Sequence, residues 1–144
     1  NVAFPLKMLG KSLSERRTRA FEVLDMVGLD GREDSYPRQL SGGQKQMLSI
    51  ARAMIEERRL YLIDEPTKGL APAIVATMVG ALRDLKRQGA SILLVEQNFA
   101  VARALGDKVV VMDDGHVTWE GDMGELATDT GLQERLMGLS MEAG

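Results

Sequence analysis

The chain contains no cysteine. Disulfides and thiolate chemistry are therefore excluded, and the composition fits a reducing compartment such as the cytosol. Aromatic residues make up only 4% of the 144 residues, and the net charge is −3, so no basic face is forced by composition and a general nucleic-acid binder is disfavoured. Long apolar runs are also missing. The longest, such as Ile92–Val95 and Val109–Met112, are far too short to span a bilayer. No basic-then-apolar leader opens the sequence, so no secretory signal is visible. The first residue is Asn, and NVAFPLKML reads as the middle of something longer, which makes a fragment the expectation.

What is present reads as one domain's worth of alternating structure. Ser14 is the expected cap of a helix, SERRTRAFEVLDMVGL, whose Ala20, Val23, Leu24 and Val27 recur at helical spacing before Gly28. After the polar loop DGREDSYPRQ, a second helix is expected from Gln44 to about Arg58, with a stripe of Met47, Leu48, Ile50, Ala51 and Met54. Leu60–Ile63 predicts a buried strand stopping at Asp64-Glu65-Pro66. Pro72 opens a third helix through Arg87, and Gly89 closes it. Ser91–Val95 predicts the next strand and Phe99–Leu105 a short helix. Lys108–Met112 and Val117–Glu120 flank the hairpin signal Asp113-Asp114-Gly115-His116, and two short helical pieces fill Asp122–Gly138. Strands alternating with helices predict an α/β fold with a parallel sheet, closed by an antiparallel edge hairpin.

In such sheets chemistry gathers at the carboxyl ends of strands, where Asp64-Glu65 and Glu96-Gln97 both fall. Asp64 and Glu65 could simply cap the loop after a strand. As a phosphoryl-transfer site, one carboxylate would hold Mg²⁺ and its neighbour would orient or deprotonate the attacking water. The segment LSGGQ raises a similar choice. Ser41 caps helices and glycine tolerates many backbone angles. Equally, a hydroxyl and bare N–H groups at a helix N-terminus form a site for a phosphate, helped by the helix dipole. The order LSGGQ, helix, then an apolar strand ending in Asp-Glu favours the phosphate.

LSGGQ, LYLIDEP and ILLVEQN, in that order, resemble the ATP-binding subunit of an ABC transporter, with LSGGQ as the family signature and LYLIDEP as its Walker B strand. DEPTKGLAP and LLVEQN are most similar to ATPases of branched-chain amino-acid importers and of the related urea and amide importers; the first forty residues look like general importer ATPases. The resemblance implies a partial RecA-like parallel sheet with flanking helices, preceded by part of the ABC helical subdomain, with 1–59 in that subdomain and 60–144 in the ATPase core. It also implies a sandwich of two ATPase subunits, identical or not, around ATP and Mg²⁺. Ser41, Gly42, Gly43 and Gln44 would contact the γ-phosphate of the opposite subunit. Asp64 would hold the metal, Glu65 would act on the water, and Gln97 would sense the γ-phosphate. Permease subunits would be direct partners, a substrate-binding protein an indirect one, and nucleic acid none. The subunit would sit on the cytoplasmic face of the plasma membrane.

The same resemblance shows departures. The family's phosphate loop, G-x-x-x-x-G-K-[ST], does not occur in these 144 residues, nor does the Gln-containing loop that precedes the helical subdomain. The chain as given is therefore expected to be inactive alone. Gln97 stands where many members carry a switch His; it can hydrogen-bond but not titrate. Ala71 stands where the loop after Walker B usually ends in Asp. Tyr61 is bulkier than the usual aliphatic, and its hydroxyl needs a partner if buried. Asn98 competes with Gln97 as the cap of the helix near Phe99. His116 is expected at the surface, Trp119 in packing, Glu56-Glu57-Arg58-Arg59 at a solvated helix end, and most of the nine methionines in the core. The alternatives are a soluble ABC ATPase outside transport, or a non-catalytic fragment that only binds partners.

Overall fold

A computed structural model of the chain describes residues 2–138. It forms two compact units, Asn1–Gln97 and Asn98–Gly144. The first holds α1 (Phe4–Met8), α2 (Leu13–Met26), a single 3₁₀ turn (Pro37–Gln39), α3 (Gly42–Met54), β1 (Leu60–Asp64), α4 (Pro72–Arg87) and β2 (Ser91–Val95). The second holds α5 (Phe99–Leu105), β3 (Lys108–Asp113), β4 (His116–Asp122), α6 (Met123–Thr128) and α7 (Thr130–Met137).

The cap of α2 is Ser12, not Ser14. Ser12 Oγ accepts from the Glu15 amide at 3.2 Å, and Glu15 returns a carboxylate to the Ser12 amide at 2.8 Å. Ser14 has Arg17 three residues on, and a guanidinium has no acceptor to return to a backbone N–H. At the other end, the Leu29 amide donates to Leu24 C=O at 2.8 Å across Gly28, whose φ is +67°. A Cβ at Gly28 would also lie 2.9 Å from Thr77 Cγ2 on α4, so glycine is required there twice over.

Helix α3 stops at Met54, four residues short of the expected Arg58. Arg19 on α2 supplies the reason. Its guanidinium donates to the carbonyls of Met54 at 3.0 Å and Ile55 at 3.4 Å, partners that the last turn of a helix otherwise lacks. Tyr61 then fixes the exit. Its ring is buried, its hydroxyl donates to Glu56 C=O at 3.1 Å and accepts from the Arg58 amide at 3.3 Å. The phenol thus has the partner that burial demands; an unpaired one would cost about 1–3 kcal/mol.

Strands β1 and β2 pair in parallel, from Leu60 opposite Ser91 to Asp64 opposite Val95. The expectation of a buried strand is met on one face of β1 and not on the other. Tyr61 turns inward, whereas Leu62 is 71% and Leu93 60% exposed. A continuous apolar run is what two covered faces require; among the described residues only one face is covered. Met78, Ala81, Leu82 and Leu85 give α4 a buried stripe at helical spacing, and α2 and α3 add Val23, Leu24, Met47, Ile50 and Met54 to the same core.

In the second unit, Asp114 and Gly115 both take positive φ, +45° and +78°, as a two-residue hairpin turn requires. The hairpin runs slightly longer than expected and carries a bulge between Val111 and Met112. It forms a two-stranded antiparallel sheet of its own. His116 is exposed. Trp119 lies over Gly121, where an added Cβ would meet the ring at 2.6 Å, so the indole packs against backbone. Val101, Leu105, Met123, Leu126 and Leu132 form this unit's core. Met47, Met54, Met78 and Met123 are buried, but Met8 and Met112 are exposed, because α1 and the hairpin each leave one apolar side uncovered.

Candidate functional site

The parallel pairing of β1 and β2 brings the two sequence-predicted strand ends side by side. The ladder continues one residue past β1, with the Glu65 amide donating to Val95 C=O at 2.9 Å. Glu65 itself has φ +40°, a left-handed conformation that costs a non-glycine residue about 1–3 kcal/mol and persists only where its surroundings impose it. Its carbonyl accepts from the Lys68 amide at 3.2 Å, closing a tight turn over residues 65–68. This bend swings the carboxylate toward the end of β2, where Gln97 Nε2 donates to Oε1. The second oxygen, Oε2, accepts from Lys68 Nζ at 2.6 Å.

Glu65 is thus held at both oxygens, with its side chain 26% exposed. The hydrogen bond from the Lys68 ammonium holds its carboxyl below the ordinary carboxylate range, against a smaller desolvation that pushes it up; the Lys68 charge and Gln97 add to the lowering. The Lys68 amine is raised by the same bond. Glu65 is therefore ionised at neutral pH, the form able to accept a proton. Asn98, not Gln97, caps α5: its Oδ1 accepts from the Val101 amide at 3.3 Å. Lys68 was not legible as a partner of Glu65, since nothing in DEPTKGLAP foretells the bend that brings it back.

At the start of α3, Ser41 and Gln44 form a reciprocal cap. Ser41 Oγ accepts from the Gln44 amide at 3.2 Å, and Gln44 Oε1 accepts from the Ser41 amide at 3.0 Å. The local reading of LSGGQ is realised. The two glycines differ. A Cβ on Gly43 would lie 3.3 Å from Ile74 Cγ1 on α4, so its bareness serves close helix packing. A Cβ on Gly42 would meet nothing within 4 Å. Ser41 and Gly42 are exposed, leaving the helix start open to a ligand.

Asp64 ends β1 exposed, beside Glu65. Among the described residues no cluster of three or more His, Cys, Asp or Glu could hold a metal ion. Asp64 and Glu65, two adjacent carboxylates at the end of β1, are a donor pair that would fit Mg²⁺ carried in on a nucleotide, because Mg²⁺ keeps its waters and takes one or two carboxylates plus phosphate oxygens. No helix among the described residues is long and apolar enough to cross a membrane.

Residues 3–68 match the family model described as ABC transporter. The methionine import ATP-binding protein MetN of Streptomyces coelicolor is 43% identical over 134 residues, covering 92% of this chain and 38% of that protein. Its counterpart from Thermobifida fusca is 45% identical over 122 residues, 84% of this chain and 38% of that one. Among solved structures, cbiO1 of Clostridium perfringens, part of the ABC transporter complex cbiONQ, superposes with a TM-score of 0.79 at 27% identity, over 98% of this chain and 56% of its own. The ADP conformation of MJ1267, an ATP-binding cassette of an ABC transporter, gives 0.71 at 26% identity, over 90% and 52%. The chain spans well under half the length of these curated relatives and about half of the solved ones.

The matched family, the curated relatives and the solved neighbours to which the chain is similar are all described as ABC transporters or their ATP-binding parts. Within that class these curated relatives are methionine-import ATPases, so the narrower likeness to branched-chain amino-acid importers rests on the DEPTKGLAP and LLVEQN segments alone.

Proposed function

We propose that this chain is the C-terminal part of an ABC importer ATPase, with 1–59 contributing to the helical subdomain and 60–144 to the ATPase core. Residues 139–144 of that division lie outside the described residues. The observation that carries the reading is the carboxylate of Glu65, gripped by Gln97 from the neighbouring strand end and flanked by Asp64. In the complete subunit, ATP sits between two such subunits. Glu65 takes a proton from the attacking water as its oxygen bonds the γ-phosphorus and the bond to the ADP oxygen breaks. Gln97 keeps Glu65 and the phosphate in register without exchanging a proton. Asp64 is the residue that would hold Mg²⁺, which supplies charge neutralisation at the phosphates. Ser41, Gly42, Gly43 and Gln44 meet the γ-phosphate of the opposite subunit.

The driven process is import of a small solute, most simply an amino acid. The curated relatives favour methionine and the DEPTKGLAP and LLVEQN segments a branched-chain amino acid. Permease subunits, with a binding protein beyond them, hold the ATPase on the cytoplasmic face of the membrane. The 144-residue chain alone should show no ATP turnover, because no phosphate loop is present. Steady hydrolysis by the purified chain that Glu65→Gln abolishes would refute this.

The test of the signature assignment is Ser41→Arg in the complete subunit. A long cation at the helix start fills the space a phosphate must enter, so turnover should fall to background while the monomer still binds ATP. Unchanged turnover would remove LSGGQ from the site.

A further inference from the structure

The turn that carries Glu65 is fastened from β2 at a second point. Thr67, buried at the third position of that turn, gives both its hydrogen-bond donors to one oxygen of Glu96. The amide lies 3.0 Å from Oε1, and the Thr67 hydroxyl bonds the same atom. Glu96 immediately precedes Gln97, so consecutive residues at the end of β2 hold the turn in two different ways. Gln97 grips the carboxylate of Glu65; Glu96 grips the backbone two residues beyond it.

We propose that Glu96 is a positioning residue for the hydrolytic step, acting through Thr67. The inference rests on Glu65 being the group that handles the water. Glu65 sits in a left-handed conformation that its own sequence does not favour. Strain of this kind relaxes unless the chain is fixed on both sides. On the N-terminal side the Glu65 amide is tied to Val95. On the C-terminal side the tie is the charge-assisted pair from Thr67 to Glu96, stronger than bonds between neutral groups. Release of that tie lets residues 65–68 relax, and the carboxylate leaves Gln97. Pro66, between the two ties, contributes no N–H of its own.

The experiment compares Glu96→Ala, Glu96→Gln, Thr67→Val and Thr67→Ser in the complete ATPase subunit, with Glu65→Gln as reference. Glu96→Ala and Thr67→Val should each lower kcat about tenfold to a hundredfold, since an ångström of misplacement costs that much, with KM for ATP within about twofold. The double variant should be no worse than Glu96→Ala alone, because Thr67→Val removes the hydroxyl half of a tie that Glu96→Ala removes whole. Glu96→Gln, which keeps one acceptor oxygen, and Thr67→Ser, which keeps both donors, should recover most of the loss. Independently of turnover, NMR should show the Thr67 amide losing protection from hydrogen exchange and the Gln97 side-chain amide signals shifting in Glu96→Ala. Unmoved Thr67 and Gln97 signals, additive losses, or a loss carried by KM with kcat intact would each overturn the proposal. Normal turnover in Glu65→Gln would instead overturn the reading of the site, and the positioning role with it.

Discussion

Glu65→Gln in the complete ATPase subunit is expected to leave ATP binding intact and to slow hydrolysis by about 10²–10⁴-fold, the usual cost of losing a positioned general base. The substitution is nearly isosteric. Its carbonyl oxygen can still accept from Gln97, so the arrangement at the end of β2 survives. The other half of the group inverts its role. An amide nitrogen now faces the Lys68 ammonium where a carboxylate oxygen accepted at 2.6 Å, and neither can accept from the other. The pair opens, but the nucleotide surfaces are untouched. Bound ATP should therefore persist and hold two subunits together, visible as a dimer by gel filtration with unhydrolysed nucleotide inside. Turnover at the normal rate would remove Glu65 from the chemistry and leave its grip by Gln97 as structural only.

The largest expected effect on stability belongs to Leu82→Ala, measured by urea denaturation of the 144-residue chain. Leu82 is fully buried at the centre of the α4 stripe, between Met78 and Leu85. Alanine is the better helix former, so local propensity would favour the variant and any loss reports packing alone. Truncation at such a position costs about 2–5 kcal/mol, a large share of a domain's typical stability of about 5–15 kcal/mol. Leu62→Ala serves as the internal contrast. Its side chain is 71% exposed on β1, and the change should stay within about 0.5 kcal/mol. Equal losses at the two positions would mean that the bare face of β1 is covered in solution.

The pattern of what could be read from sequence follows the range of the interactions. Helix α4 and the turn at Asp114-Gly115 were legible, because Pro72, Gly89 and the Asp-Gly pair act on their own backbone. The convergence of Asp64-Glu65 with Gln97 followed from two short apolar strands, separated by a helix, that pair in parallel and bury a common face. The choice of Ser14 over Ser12 overlooked a local signal, Ser12-x-x-Glu15, that was present. The early end of α3 was not legible at all. It depends on Arg19, more than thirty residues earlier, reaching the carbonyls of Met54 and Ile55. Lys68 on Glu65 and Glu96 on Thr67 were hidden for the same reason: each needs the bend at Glu65, and a left-handed glutamate has no signature in composition or spacing.

The two glycines of LSGGQ divide along the same line. Gly43 is dictated from within, by the proximity of Ile74. Gly42 is dictated by nothing among the described residues: its φ is not in the left-handed region, and a methyl group there would meet open space. A helix gives up as much as about 1 kcal/mol relative to alanine where it carries such a residue. Gly42 is therefore a point of local frustration, a place where the fold's own interest and the residue present disagree. Frustration of this kind concentrates where a chain answers to something outside itself. The first turn of α3 is in that sense a part of the molecule that its own packing does not explain.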